Sequence, residues 1–210
     1  MHKWVIGGAA TMALITIVLM VVIAKKPDPD TPTVSIDAIQ GTWTIGPDSY
    51  AGYHVHAVNG DIIFKDGRQN VTATGRTDRV TGSATVTNNE LTAATVEVDL
   101  AGITSDSEQR DKYFRTKIID VAACPTATFT IAQPVKMADP SKIAVPGDLT
   151  INNVTLPVVA DMNITGTETN PVVTGSVQVT WQDFDIDPPK LGFVTVADAG
   201  VIEFLLKLSK

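Results

Sequence analysis

Apolar and polar positions divide this chain into two regimes. From Trp4 to Ala24 no side chain is charged, and Lys3 on one side and Lys25 and Lys26 on the other bound the stretch. Twenty-one residues at about 1.5 Å each make a helix of roughly 31 Å, which matches a hydrocarbon core of about 30 Å. The pattern predicts one transmembrane helix. A cleaved signal peptide has an apolar region of about 7 to 15 residues, so the length favours a retained signal anchor. From Gly41 onward the period changes to two. Val96, Val98 and Leu100 alternate with Glu97 and Asp99, and Val177, Val179 and Trp181 alternate with Ser176, Gln178 and Thr180. Phe129 and Ile131 stand against Thr128 and Thr130, while Ile202, Phe204, Leu206 and Leu208 form one face of a closing strand that Glu203 and Lys207 mark on the other. Alternation of this kind gives strands with one apolar and one polar face.

Turn residues separate these runs. Asn59, Gly60 and Asp61, then Asp66 and Gly67, then Asn88, Asn89 and Glu90 sit where side chains that tolerate left-handed backbone angles allow tight hairpins, hence antiparallel pairing. One helix stands out. Ser105 followed by Glu108 forms a capping box with Asp106 in the first turn, predicting a helix that runs to about Thr116 with Tyr113 and Phe114 packed inward and Arg110, Asp111 and Lys112 facing water. So many strands with one short helix leave a barrel or a sandwich. The chain holds a single cysteine, Cys124, whereas an immunoglobulin-type sandwich carries a cysteine pair. Periodicity does not choose further between the two.

Charge narrows the partners. Setting aside Lys3, Lys25 and Lys26 leaves 13 basic residues against all 23 acidic ones, a formal charge near −10 beyond the apolar segment. That balance argues against nucleic acid, whose phosphates require a basic footprint. The chain divides into a signal anchor over 1–26, a spacer rich in Pro and Asp over 27–39, and a β domain over 40–210. The spacer contains PDPDTPT from Pro27 to Thr33, whose prolines favour an extended chain. Lys3 and the terminal amine nearly balance Lys25 and Lys26, so flanking charge does not set the orientation. The expected arrangement is a single pass through the cell membrane by residues 4–24, with the C-terminal domain extracytoplasmic.

Candidate chemistry is sparse. His54 and His56 share a strand face at a spacing of two, as metal ligands would, but a structural zinc site needs four ligands and no cysteine or histidine cluster supplies the others; only Asp48 and Asp61 lie close in sequence. Cys124, just before an alternating strand, reads as a small buried apolar residue. Gly82 to Ala84 and Gly175 to Val177 lack the second glycine of a nucleophile elbow. No paired carboxylates stand out, and the sequons at Asn70, Asn153 and Asn163 arise readily by chance in a threonine-rich chain. No catalytic residue, metal site or cofactor is assigned.

Several motifs occur together in order. DLAGITSDSEQRDKYFRTKIID runs from Asp99 to Asp120, CPTATFTI from Cys124 to Ile131, GDLTINNVTLPV from Gly147 to Val158, and WQDFDI from Trp181 to Ile186. DSYAGYHV from Asp48 to Val55 and TGRTDRVTGSATV from Thr74 to Val86 precede them. Together they resemble the YceI-like, polyisoprenoid-binding family over Gln40 to Lys210, including its membrane-anchored versions. Cys124 departs from the pattern, since the family commonly has an aromatic residue before that proline, and the histidine usual in the first long hairpin is not matched. The resemblance implies an all-β fold, an antiparallel lipocalin-like barrel of about eight strands with one short helix, preceded here by the single transmembrane helix. It further implies an apolar tunnel for a polyisoprenoid or quinone-like lipid, and it allows a dimer. The expected lining is Val98, Leu100, Phe129, Ile131, Leu149, Ile151, Val177, Val179 and Trp181. Burial of about 0.8 kcal/mol per methylene gives on the order of 8 kcal/mol for ten carbons, so apolarity alone can hold such a chain. Two other readings make separate predictions. A structural or adhesive β domain predicts a solid core and a contiguous exposed apolar patch, and an enzyme acting on a lipid-like substrate predicts His54 and His56 at the site.

Overall fold

The computed structural model describes residues 34–59, 70–191 and 194–210. The segment predicted to cross the membrane, most of the spacer and the turns at Gly60, Asp61, Asp66 and Gly67 lie outside them. No helix among the described residues is long and apolar enough to span a bilayer.

Twelve strands form one antiparallel sheet. They are β1 (Gly41–Ile45), β2 (Tyr50–Asn59), β3 (Asn70–Thr77), β4 (Val80–Thr87), β5 (Glu90–Asp99), β6 (Thr126–Ile131), β7 (Val135–Lys136), β8 (Ile143–Ile151), β9 (Val154–Gly166), β10 (Pro171–Thr180), β11 (Lys190–Leu191) and β12 (Val194–Ser209). The ring closes because β1 pairs with β4 on one edge and with β12 on the other. Two of its staves are each made of two strands. Thr44 faces Ser83 across β1 and β4, and Ala51 faces Thr77 across β2 and β3, so both pairs lie on one ladder that slips by a single residue. Counting β1–β2 and β3–β4 as one stave each, an eight-stave barrel runs through β5, β6, β8, β9, β10 and β12. Closure leaves few free edges and encloses an interior.

Local chemistry explains the interruptions. Between β1 and β2, Asp48 takes a φ of 61°. There the buried Ser49 hydroxyl donates to Gly46 O at 2.7 Å and accepts from the Lys207 N–H at 3.0 Å, so a side chain replaces the missing ladder bond. The β4–β5 and β8–β9 hairpins turn through Asn88–Asn89 and Asn152–Asn153, all four with positive φ. Those are the two-residue turns that suit twisted strands, and the first is where the sequence placed it.

The barrel's two ends differ. Gly41, the Asn88–Asn89 turn and Ser209 lie at one, hereafter the closed end; β5 runs from it to the other, the helix end, where Asp99, the β8–β9 turn and Thr180 lie. A 3₁₀ turn over Ile36–Ile39 seals the closed end, with Val34, Ile36 and Ile39 in the core. The core thus starts before Gln40, inside the stretch read as spacer. Its register is fixed by Gln40 Nε2 donating to Ile36 O and to Asn89 Oδ1 at 2.9 and 2.8 Å.

At the helix end, α1 covers Glu108–Tyr113 and continues as a π turn over Phe114–Ile118. The helix begins later than the capping box implied. Ser107, not Ser105, caps it by accepting from the Arg110 N–H, while Ser105 Oγ donates to Asp111 Oδ1 at 2.6 Å. Asp111 is therefore buried, at 7% exposure, where helical periodicity placed it in water. Phe114 is buried and Tyr113 half-buried, as the inward face required.

Candidate functional site

The barrel interior is hollow. A cavity of about 820 Å³ runs through it, within the range of roughly 300 to 1,000 Å³ typical of ligand pockets. As a packing defect, an apolar void of this size would cost on the order of 20 kcal/mol at about 24 cal/mol per Å³. A whole domain is held together by only about 5 to 15 kcal/mol. The space is a property of the closed hydrogen-bonded barrel and not a flaw in packing.

The inward faces of the alternating strands supply the wall. Eight of the nine residues expected to line it do so: Val98, Leu100, Phe129, Ile131, Leu149, Ile151, Val177 and Trp181. Ile202, Phe204, Leu206 and Leu208 of β12 join them. Val179 is the correction, being buried but outside the lining. Its register partner is Gly200, and a side chain on Gly200 would collide with the Trp181 ring, so the indole fills that corner beside Val179. Glycine plays the same part beneath Phe129, whose ring occupies the space a Cβ on Gly147 would need. These two glycines let large rings lie against the wall and shape the cavity.

Exposure of the lining changes from end to end. At the closed end Ile39, Trp43, Leu91 and Met137 are all buried. The Trp43 indole N–H donates to Ile39 O at 2.8 Å, and Lys210 Nζ lies 4.7 Å from the Trp43 ring. At the helix end the lining includes exposed Asp106 and Gln109 together with Ser107, Arg110, Pro188 and Pro189. This is the mouth.

Tyr53 of β2 connects the apolar wall to the polar mouth. Its ring stacks on Phe114 at 5.5 Å and meets Trp181 edge-on at 6.5 Å. Burial pushes the phenol above its ordinary value; Arg110 opposes the rise, and Asp111 and Asp106 add to it. Arg110 is ion-paired with Asp106, four residues earlier in the loop that leads into α1, and that bond holds the Asp106 carboxyl below the usual range. Asp111 Oδ1 also accepts from the Ser105 N–H at 2.9 Å, while Arg115 donates to Ile103 O at 3.0 Å. These bonds fasten α1 and the loop before it to the barrel rim.

Sequence reasoning missed Tyr53, Arg110 and Asp106 as site residues. Their signal was available only in part: Tyr53 is one inward position on an alternating strand, but the helix that meets it is distant in sequence. His54 and His56 sit on the opposite face of β2 from the cavity-lining Ala51, Tyr53 and Val55. His54 Nδ1 lies 3.3 Å from Glu203 Oε2. Neither histidine lines the cavity, so neither is placed to act on a molecule inside it. Among the described residues no group of three or more His, Cys, Asp or Glu could hold a metal ion, and the one strongly exposed large apolar side chain is Val159. A hollow interior with a scattered apolar surface is the reverse of what an adhesive domain with a solid core requires.

The family model of the YceI-like domain matches residues 53–208. A UPF0312 protein of Vibrio vulnificus strain YJ016 is 29% identical over 133 residues, covering 59% of this chain and 69% of that protein. Among solved structures, Burkholderia cenocepacia BcnA superposes with a TM-score of 0.59 at 16% identity, covering 75% of this chain and 95% of that one. A polyisoprenoid binding domain from Saccharophagus degradans, implicated in plant cell wall breakdown, gives 0.59 at 14% identity, with 81% and 99% covered. At such identities these two structures speak to the fold.

Proposed function

The chain belongs to the YceI-like domain family, and from that premise we propose that it is a binding protein that holds a long apolar lipid, a polyisoprenoid or quinone-like molecule, in the barrel interior. The observation that carries this reading is the cavity of about 820 Å³, walled mainly by aliphatic and aromatic side chains, with the charged residues of its described lining gathered at the helix end. A wall of this kind gives water few partners, whereas a linear apolar chain gains about 0.8 kcal/mol per methylene buried. The Saccharophagus degradans domain of similar fold, described as polyisoprenoid binding, supports the same ligand class. Among the described residues the mouth presents one guanidinium, already paired, and no nucleophile beside a base, which favours a binding role.

We further propose that residues 4–24 tether the protein to the cell membrane and that the barrel lies on the extracytoplasmic side. The support is the uncharged stretch of membrane-spanning length. Protease added to intact cells should digest the barrel domain; protection of that domain would place it inside. The ligand is tested by organic extraction of the purified protein followed by mass spectrometry. One long-chain lipid per barrel is expected, and a preparation repeatedly free of lipid that also binds none when offered it would refute the reading.

A further inference from the structure

We propose that the mouth selects the head of the lipid: it accepts an uncharged, hydrogen-bonding head such as an alcohol or a ring carbonyl, and it rejects the phosphorylated form of the same tail. This rests on the lipid-binding reading above and adds the orientation and the head chemistry.

Orientation follows from where polarity sits. At the closed end the wall is made by Ile39, Trp43, Leu91 and Met137, and the one polar atom of those side chains, the indole N–H, is spent on Ile39 O. A polar head left there would lose its water without replacement, which is costly for a neutral group and more so for a charged one. The tail therefore points to the closed end and the head stays beside Tyr53.

The head's chemistry follows from the charges around it. Among the described residues, Asp106 and Arg110 are the only charged side chains in the lining, and they are bonded to each other. Asp111, buried behind them, already accepts two bonds from Ser105. The other cations of this segment are not available: Arg115 is turned to the Ile103 carbonyl, and Lys112 and Lys117 are exposed outside the lining. A phosphorylated head carries a charge of about −1.5 to −2. To pair with Arg110 it would have to displace Asp106 and then sit against that carboxylate and Asp111, so the cluster opposes it. A neutral head disturbs none of this. The Tyr53 hydroxyl makes no hydrogen bond to another described residue, and the Gln109 amide and Ser107 hydroxyl are within the same lining. A protonated phenol has an O–H to donate to such a head.

The test compares two lipids that share one tail. Geranylgeraniol and geranylgeranyl diphosphate are titrated into the full chain in detergent micelles, read by fluorescence of the cavity tryptophans Trp43 and Trp181. The diphosphate should bind at least about tenfold more weakly than the alcohol. Asp106→Asn, at an exposed position, frees Arg110 and should shrink that gap to about threefold or less, and Tyr53→Phe should weaken the alcohol by about threefold while leaving the diphosphate unchanged. Equal or tighter binding of the diphosphate by the unmodified protein overturns the proposal, as does a gap that Asp106→Asn leaves intact. Binding of neither lipid overturns the lipid-binding reading itself, and this inference with it.

Discussion

At the closed end, Val34, Ile36 and Ile39 fold back into the core, Trp43 is 1% exposed, and Gln40 bonds the 3₁₀ turn to the β4–β5 hairpin. At the helix end the cavity is bordered by six residues of α-helix, a π turn and two prolines, with Asp106 and Gln109 in water. The first is closed by buried aliphatic and aromatic side chains. The second is a rim that anchors Ile103, Phe114 and Ile119 in the core but keeps Asp106, Glu108 and Gln109 in water beside one buried carboxylate. Short elements with solvent-exposed backbone hydrogen bonds open locally at low free energy, so on the lipid-binding reading proposed above the helix end is the route of entry and exit.

The change expected to act most strongly obstructs the space both ends share. Ala94 lies on the cavity wall, and Ala94→Trp should block the path of a long chain through the interior and weaken lipid binding by about a hundredfold, with far-UV circular dichroism unchanged. Undiminished binding by that variant would move the ligand to the outside of the barrel. Breaking the closed end comes next. Trp43→Ala removes a buried indole and its bond to Ile39, and urea unfolding should show a loss of about 3 to 5 kcal/mol. Gln109→Ala at the opposite rim should leave the urea midpoint where it is.

Asp111→Ala sharpens the contrast from the other side. It strips Ser105 of its acceptor, so the expected loss is about 1 to 3 kcal/mol. Amide exchange over residues 104–113 should accelerate while exchange around Trp43 and Leu91 stays slow. The smallest effect belongs to an exposed ion pair at the helix end that takes no part in the cavity lining. The side-chain bond from Arg79 holds the Asp99 carboxyl below its ordinary 3.8. A lowered pKa stabilises the folded chain above about pH 3.8, and the contribution fades as pH falls through that range. Both groups are exposed, so Arg79→Ala should cost less than about 1 kcal/mol at neutral pH and nothing in strong acid, measured by urea unfolding at several pH values.

Much of the wall was readable in advance because a period of two, once the partner strands are known, decides which side faces in. Val96 and Val98 of β5, Phe129 of β6 and the face of β12 from Ile202 to Leu208 all point inward on that ground alone. Val179 obeys the same period and still misses the cavity, because what fills the space before it is Trp181 lying over Gly200, a contact between strands that alternation does not encode. The 3₁₀ turn at the closed end reads as spacer in the sequence because Val34, Ile36 and Ile39 are scattered apolar residues in a polar run, too few to signal an element without the hairpin they pack on. Asp111 was misread because helical periodicity assigns a charged residue to water, whereas Ser105 supplies the two donors that make its burial tolerable. The rim, where a local helix meets a distant strand at Tyr53, needed the fold before it could be assembled.

The central claim is that a lipid lies in the barrel with its tail at the closed end and its head at the rim. An isoprenoid alcohol carrying a photoreactive diazirine at the tail terminus, crosslinked in the full-length protein and mapped by mass spectrometry, tests it most directly. The label should fall on the segments around Leu91, Ile131 and Met137. Labelling around Tyr53 and Gln109, or on the outer face of the barrel, would contradict it.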